Sequence, residues 1–172
     1  MSRGLAASLP DFPWDSLAGA RQRASAHPGG LVDLSVGTPV DPTPAVVREA
    51  LIASADAPGY PTTWGTVALR TAIIDYLHSR WSAVPLDHAN VLPVIGTKEL
   101  VALLGFQLGL GAGDAVVIPT TAYPTYDVGA RLCGAQAIPT DDVDAVAELK
   151  PALIWINSPA NPHGRILSVS ET

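Results

Sequence analysis

The chain has 172 residues, 48% hydrophobic and 15% charged, with a formal net charge of −6 at pH 7. That length suits one domain with a sizeable core, while the charged share lies well under the roughly 25% usual for soluble domains, so burial in a larger domain or an interface is expected. The acidic balance offers no basic patch for nucleic acid or an anionic membrane surface, and the single cysteine, Cys133, excludes an internal disulfide and fits a reducing, cytoplasmic setting.

Residues 1–30 read as an amino-terminal arm and a short helix. Met1–Pro13 is polar and Pro-punctuated, without the apolar run of a signal peptide. Trp14–Ala26 has helical character and stops at His27-Pro-Gly-Gly30. Leu31–Val36 alternates enough for a short strand, after which Gly37-Thr-Pro-Val-Asp-Pro42 forces a turn. Thr43-Pro44 places a cap before a proline at the first helical position, opening a helix to about Ala55. After the loop Ala57–Thr63, Leu69, Ile73, Leu77 and Trp81 recur every four residues, one apolar stripe on a helix over 66–81. The most apolar window, Leu100–Leu110, is broken by Gln107 and is too short to span a bilayer.

A strict alternation begins at Val91. Val91–Ile95 reads as strand, Thr97–Leu110 as helix, Asp114–Ile118 as strand and Pro124–Leu132 as helix. Ala135–Ile138, Val143–Leu149 and Ala152–Ile156 continue as strand, helix and strand. This order predicts an α/β domain with a parallel sheet, right-handed crossovers and helices on both faces. Gly109-Leu-Gly-Ala-Gly113 follows a helix and precedes a strand, the reverse of a dinucleotide-binding context, so it reads as a helix stop. Cys133 has no base nearby in sequence and reads as a small core hydrophobe. Leu167–Thr172, with Ser168 or Ser170 as cap and Glu171 behind it, looks like the start of a helix, so the chain is expected to have been cut short and residues 31–172 to form an incomplete domain.

Three stretches at strand ends carry chemistry. Ala152–Ile156 runs into Asn157-Ser-Pro-Ala-Asn-Pro-His-Gly-Arg165, where prolines end the strand and two asparagines bring amides to the turn. Those amides serve either a ligand or only the local backbone. Gly96-Thr-Lys98 opens a helix whose first N–H groups and dipole would receive an anion, unless it is an ordinary glycine turn with an exposed lysine. Tyr123 follows the next strand, and its ring either stacks on a planar ligand or packs against a loop.

In type and order these stretches resemble the amino-terminal half of the fold-type I, pyridoxal-phosphate-dependent aminotransferases of class I/II. The resemblance runs from Leu31 to Thr172. It implies the large cofactor-binding domain of that family and pyridoxal 5'-phosphate as cofactor. Gly37, in Leu34-Ser-Val-Gly-Thr-Pro39, would lie near the substrate carboxylate. Tyr60, ahead of Gly65 and Leu69-Arg70, would reach the cofactor phosphate of a neighbouring subunit in a homodimer. Thr97 and Lys98 would hold the phosphate, Tyr123 would stack on the pyridine ring, and Asn161 would hydrogen-bond the phenolic oxygen. His163 departs from the usual threonine in Asn161-Pro-His-Gly164, leaving the Asn161 amide untouched. The family's Schiff-base lysine matches neither Lys98 nor Lys150 and is expected downstream of Thr172, with the acidic partner of the pyridine nitrogen and the carboxylate-clamping arginine. By itself the chain is therefore expected to be inactive.

Within the family, the opening Met1–Trp14, the loop Val36–Pro42 and Ala122–Arg131 resemble the actinobacterial N-succinyldiaminopimelate aminotransferases. That likeness implies amino transfer from N-succinyl-LL-2,6-diaminopimelate to 2-oxoglutarate, in lysine biosynthesis. The partners are then a small amino donor and a 2-oxo acid, with no nucleic acid or membrane. The alternatives are another enzyme of the same fold, such as a carbon–sulfur lyase or other amino-acid aminotransferase, or a non-catalytic relative.

Overall fold

A computed structural model describes residues 9–169. Its elements follow the chain as α1 (Ala18–Ser25), α2 (Ala45–Ala53), α3 (Val67–Trp81), α4 (Thr97–Gln107), β1 (Ala115–Ile118), α5 (Thr125–Cys133), β2 (Gln136–Pro139) and β3 (Leu153–Ile154). They fall into two compact units: the chain up to Ala20 with the chain from Val94 onward, and Arg21–Pro93.

The first unit is an α/β unit built on β1. Ala-Val-Val-Ile carries no polar side chain and three β-branched ones, which suits a strand covered on both faces. Val116 and Val117 are each 1% exposed, and Ile118 is buried with them. The sheet order is β2-β1-β3 and both pairings are parallel. Val116 pairs with Ala137 on one side and Leu153 on the other; Val117 pairs likewise with Ile138 and Ile154. Parallel neighbours need crossovers. The first contains α5 and the second a 3-10 helix, Asp144–Leu149. Ala130, Ala135, Leu110, Tyr126 and Trp155 close the core, with the Tyr126 and Trp155 rings 5.3 Å apart and tilted by 60°. Half-buried Cys133 belongs to the same cluster and donates its thiol to Ala130 O.

Helices α4 and α5 meet through glycines. A Cβ on Gly129 would lie 2.6 Å from Val101 O and 3.3 Å from Ala102 Cα, and one on Gly105 would lie 2.9 Å from Cys133 Sγ. At its far end α4 stops where Gly109 takes φ 75° and the Leu110 N–H donates to Gly105 O at 2.9 Å. The glycine run is thus a helix stop.

In the second unit, Thr66 Oγ1 caps α3 by accepting from the Leu69 N–H at 3.1 Å. Arg70 Nη1 donates to His88 O at 3.1 Å, and Thr71 Oγ1 lies 2.9 Å from His88 Nε2. The apolar stripe of α3 is only partly covered. Ile73 and Leu77 are half-buried, whereas Leu69 and Trp81 are exposed, Trp81 lying 4.3 Å under the Arg80 guanidinium.

Two expected strands do not form. Leu31–Val36 is irregular because Asp33 turns back on Ser35, accepting from its N–H at 3.0 Å and its hydroxyl at 2.6 Å. Val91–Ile95 contains Pro93, which cannot donate to a ladder, and Ile95 stands fully exposed. The helix expected over Val143–Leu149 forms as a 3-10 helix, and β3 has two residues where five were expected. Backbone bonds from Ala152 N–H to Ala115 O and Trp155 N–H to Val117 O, both 2.9 Å, nevertheless extend its pairing. The first eight residues of the arm, and Ser170–Thr172 of the helix start expected at the end, lie outside the described residues.

Gly129→Ala should destabilise the protein. Alanine gains about 1 kcal/mol of helix propensity over glycine. Overpacking costs about 1–3 kcal/mol, and the obstacle here is backbone, which cannot rotate away. We expect a net loss of about 1–2 kcal/mol, read as a lower urea midpoint at unchanged slope. An equal or higher midpoint would mean that α4 and α5 are not held at this separation.

Candidate functional site

Gly96 enters α4 with φ −168° and ψ 144°, extended backbone that any residue adopts. Glycine matters there for space instead, since a Cβ would meet Glu99 Oε2, which folds back beside it. No side chain caps this end of α4. Among the described residues the N–H groups of Thr97, Lys98 and Glu99 find no acceptor, and the first helical bond runs from Leu100 N–H to Gly96 O at 3.1 Å. Three free donors at the positive end of an 11-residue helix make a cup for an anion, which would share that end with the Glu99 carboxylate.

Lys98 leaves the first turn of α4 to stand with Nζ 6.0 Å from the Tyr123 ring centroid and 5.7 Å from that of Phe12. It pairs with no carboxylate among the described residues. Trp14 completes the group, 5.1 Å from Phe12 and 5.7 Å from Tyr123 by ring centroids. Contacts of this kind at exposed positions hold a cation by about 0.5–1 kcal/mol. Phe12, read in the arm, and Trp14, read at the start of a short helix, are thus neighbours of the site that the sequence did not single out. The available signal was two aromatics flanking Pro13.

Tyr123 leaves the sheet after β1, and Asn161 leaves it after β3. Because β1 and β3 are parallel, both loops depart from the same carboxyl edge, where α/β sheets bind ligands. The turn after β3 is closed by its own bonds: Gly164 N–H to Ala160 O at 2.6 Å, Ala160 N–H to Arg165 O at 2.8 Å, and Leu167 N–H to Ser158 Oγ at 3.0 Å. His163 Nδ1 accepts from the Arg165 N–H at 3.4 Å, and the histidine is exposed. Asn161 is exposed, and its side chain makes no hydrogen bond among the described residues. Lys150 closes the 3-10 helix before β3, at the opposite, amino edge.

Gly37 and Tyr60 belong to the second unit. Gly37 lies in an exposed loop and the Tyr60 ring is wholly exposed. A cleft of about 580 Å³ in this unit is lined by Trp64, Thr66, Val67, Arg70 and Ala89 among others, and by none of the expected site residues. Arg70 Nε is buried without a partner. Among the described residues no cluster of His, Cys, Asp or Glu could hold a metal ion, and no helix among them is long and apolar enough to cross a membrane.

The donor set fits the phosphate-bearing ring that the resemblance implies. Three free N–H groups and an ammonium suit a phosphate, a half-buried aromatic suits a flat ring, and an uncommitted carboxamide suits a ring oxygen.

Comparison with known proteins gives the same family. A family model described as aminotransferase class I and II matches residues 30–172. A probable aminotransferase of Mycobacterium tuberculosis is 55% identical over 166 residues, which cover 96% of this chain and 40% of that protein. The 4-dedimethylamino-4-oxo-anhydrotetracycline transaminase of Streptomyces rimosus is 52% identical, with 95% and 45% covered. A solved aminotransferase from Neisseria meningitidis matches with a TM-score of 0.85 at 29% identity, over 98% of this chain and 47% of that one. The chain spans less than half the length of each of these relatives.

The loop that carries Gly37 is tied upstream at Asp33. Hydrogen bonds from the Ser35 hydroxyl and N–H hold the Asp33 carboxyl below its usual range, with a smaller contribution from Arg21 at 2.8 Å. For a depressed carboxyl, the tie is fully formed above the unfolded value of about 3.9 and is lost as pH falls through the lowered value. The Ser35 amide resonance should therefore stay flat from about pH 8 to pH 5 and move only below about pH 4. A midpoint at or above the ordinary aspartate value would show that the tie is not made in solution.

Proposed function

The chain belongs to the aminotransferase class I and II family, and on that premise we propose that residues 31–172, with residues 1–30 as an arm, form the front of the large domain of a pyridoxal-phosphate-dependent aminotransferase. The observation that carries this reading is the uncapped start of α4 beside Lys98 and Tyr123, at the sheet edge from which the Asn161 turn also departs. In it, the free N–H groups at Thr97 and Lys98 and the Lys98 ammonium hold the phosphate. Tyr123 lies against the ring, and the Asn161 carboxamide donates to the ring oxygen, stabilising negative charge there. Tyr60 reaches a partner subunit's phosphate and Gly37 lies by the substrate carboxylate, which makes the protein a homodimer.

Pyridoxal phosphate, when bound, supplies an electron sink for breaking a bond at the α-carbon of an amino acid. The lysine that carries the cofactor and moves the α-proton is neither of the two in this chain. Lys98 stands over the Phe12 and Tyr123 rings at the phosphate end, and Lys150 lies at the amino edge of the sheet. In this reading the lysine comes from sequence downstream of Thr172.

For the substrates we infer N-succinyl-LL-2,6-diaminopimelate as amino donor and 2-oxoglutarate as acceptor, in lysine biosynthesis. The likeness of Met1–Trp14, Val36–Pro42 and Ala122–Arg131 supports it. The Streptomyces rimosus relative favours a second reading, amino transfer to a polycyclic ketone. The ratio of kcat/KM for the two acceptors decides between them.

In the full-length protein, Asn161→Ala should remove one charge-assisted hydrogen bond, worth about 1.5–3 kcal/mol or roughly one to two pKa units. Titrating the absorbance of the bound cofactor at about 430 nm reads that shift. An unmoved midpoint would take Asn161 out of the site. The 172-residue chain alone should show no turnover of any amino donor. Turnover that disappears on replacing Lys98 or Lys150 would overturn the assignment of the missing lysine.

A further inference from the structure

We propose that Asn157 is a positioning residue for Asn161, acting through the backbone of the turn and touching no ligand itself. The inference rests on the cofactor reading above.

Asn161 stands on an exposed turn, yet a carboxamide aimed at a ring oxygen must hold its place to within about 0.5 Å. The turn's other bonds described above end on Ala160, Gly164, Arg165, His163, Ser158 and Leu167 and close the loop as a whole. None ends on Asn161. Pro162 follows it and brings no N–H. Among the described residues, the one hydrogen bond made by Asn161 is from its N–H to the Asn157 carboxamide oxygen, at 3.0 Å.

The orientation of the Asn157 amide is set by chemistry. Pro159 O can only accept and the Asn161 N–H can only donate, so the carboxamide satisfies both in one way: its nitrogen donates to Pro159 O at 3.1 Å and its oxygen accepts from Asn161. Asn157 is itself half-buried. Two residues earlier, the Trp155 N–H donates to Val117 O at 2.9 Å, and Val117 is 1% exposed. A continuous path of hydrogen bonds and short chain thus leads from the core strand to the residue that meets the ligand. Aspartate at 157 would set lone pairs against Pro159 O, and alanine would leave the Asn161 N–H without an acceptor.

The test uses the full-length protein with its cofactor, as Asn157→Ala, Asn161→Ala and the double variant. Asn157→Ala should shift the pH midpoint of cofactor absorbance in the same direction as Asn161→Ala, by about half a unit or more. The double variant should match Asn161→Ala alone, because the first change acts only through the second residue. Additive shifts, or a lowered melting temperature with an unmoved midpoint, would overturn the role. A second measurement needs no variant: in the cofactor-free protein the Asn161 amide proton should exchange about tenfold more slowly than a free amide. Exchange at the free rate would show that the clasp is not made. A wild-type protein with no cofactor absorbance would overturn the functional reading and this role with it, whereas the exchange rate reports on the clasp independently of any cofactor.

Discussion

The burial of Val116 and Val117 between two parallel neighbours is the constraint on which the first unit depends. The two side chains point to opposite faces of the strand and each is 1% exposed, worth about 1.5–3 kcal/mol apiece relative to exposure. Because both pairings are parallel, the loops after β1 and β3 must leave from one edge. A slip of one residue would turn the buried faces over and scatter those loops. Register therefore decides both the fold and the departure of the Tyr123 loop and the asparagine turn from one edge.

Apolar residues are far from all buried. Val32, Leu34, Val40, Val46 and Ile52 are each at least 71% exposed in the second unit, where Val91 is the one buried hydrophobic residue among those described. Phe106, Ile95 and Ile166 stand out from the first unit in the same way. Apolar surface this extensive is characteristic of faces that meet other protein. It accounts for a composition with 48% hydrophobic residues and little charge, and it agrees with relatives more than twice as long as this chain.

Much of this was legible in the sequence, and the failures have physical reasons. β1, α3, α4 and α5 were readable because periodicity and the Gly–Thr–Pro punctuation around them agree on one state. The strands expected at 31–36 and 91–95 failed because extended chain needs a partner that periodicity does not supply. There a local Asp33–Ser35 turn and Pro93 prevailed. The candidate residues could be nominated because each was expected where an element changes direction. Their neighbours were hidden. Phe12 and Trp14 reach Lys98 and Tyr123 only through tertiary folding of the arm, and Asn157 shows its clasp only once the turn is closed.

The glycine contact between α4 and α5 also makes α4 a lever. Its fulcrum lies between Val101 and Gly105, and its working end, with the free N–H groups, is at Thr97. At 1.5 Å of rise per residue the arm is roughly 6–12 Å long, so a tilt of about 5° about the contact would carry those N–H groups by about 0.5–1 Å. Displacements of that size are enough to cost a reaction on the order of a hundredfold. Two missing methyl groups deep in the helix pair thus set the mechanical tolerance of an anion cup that neither of them touches.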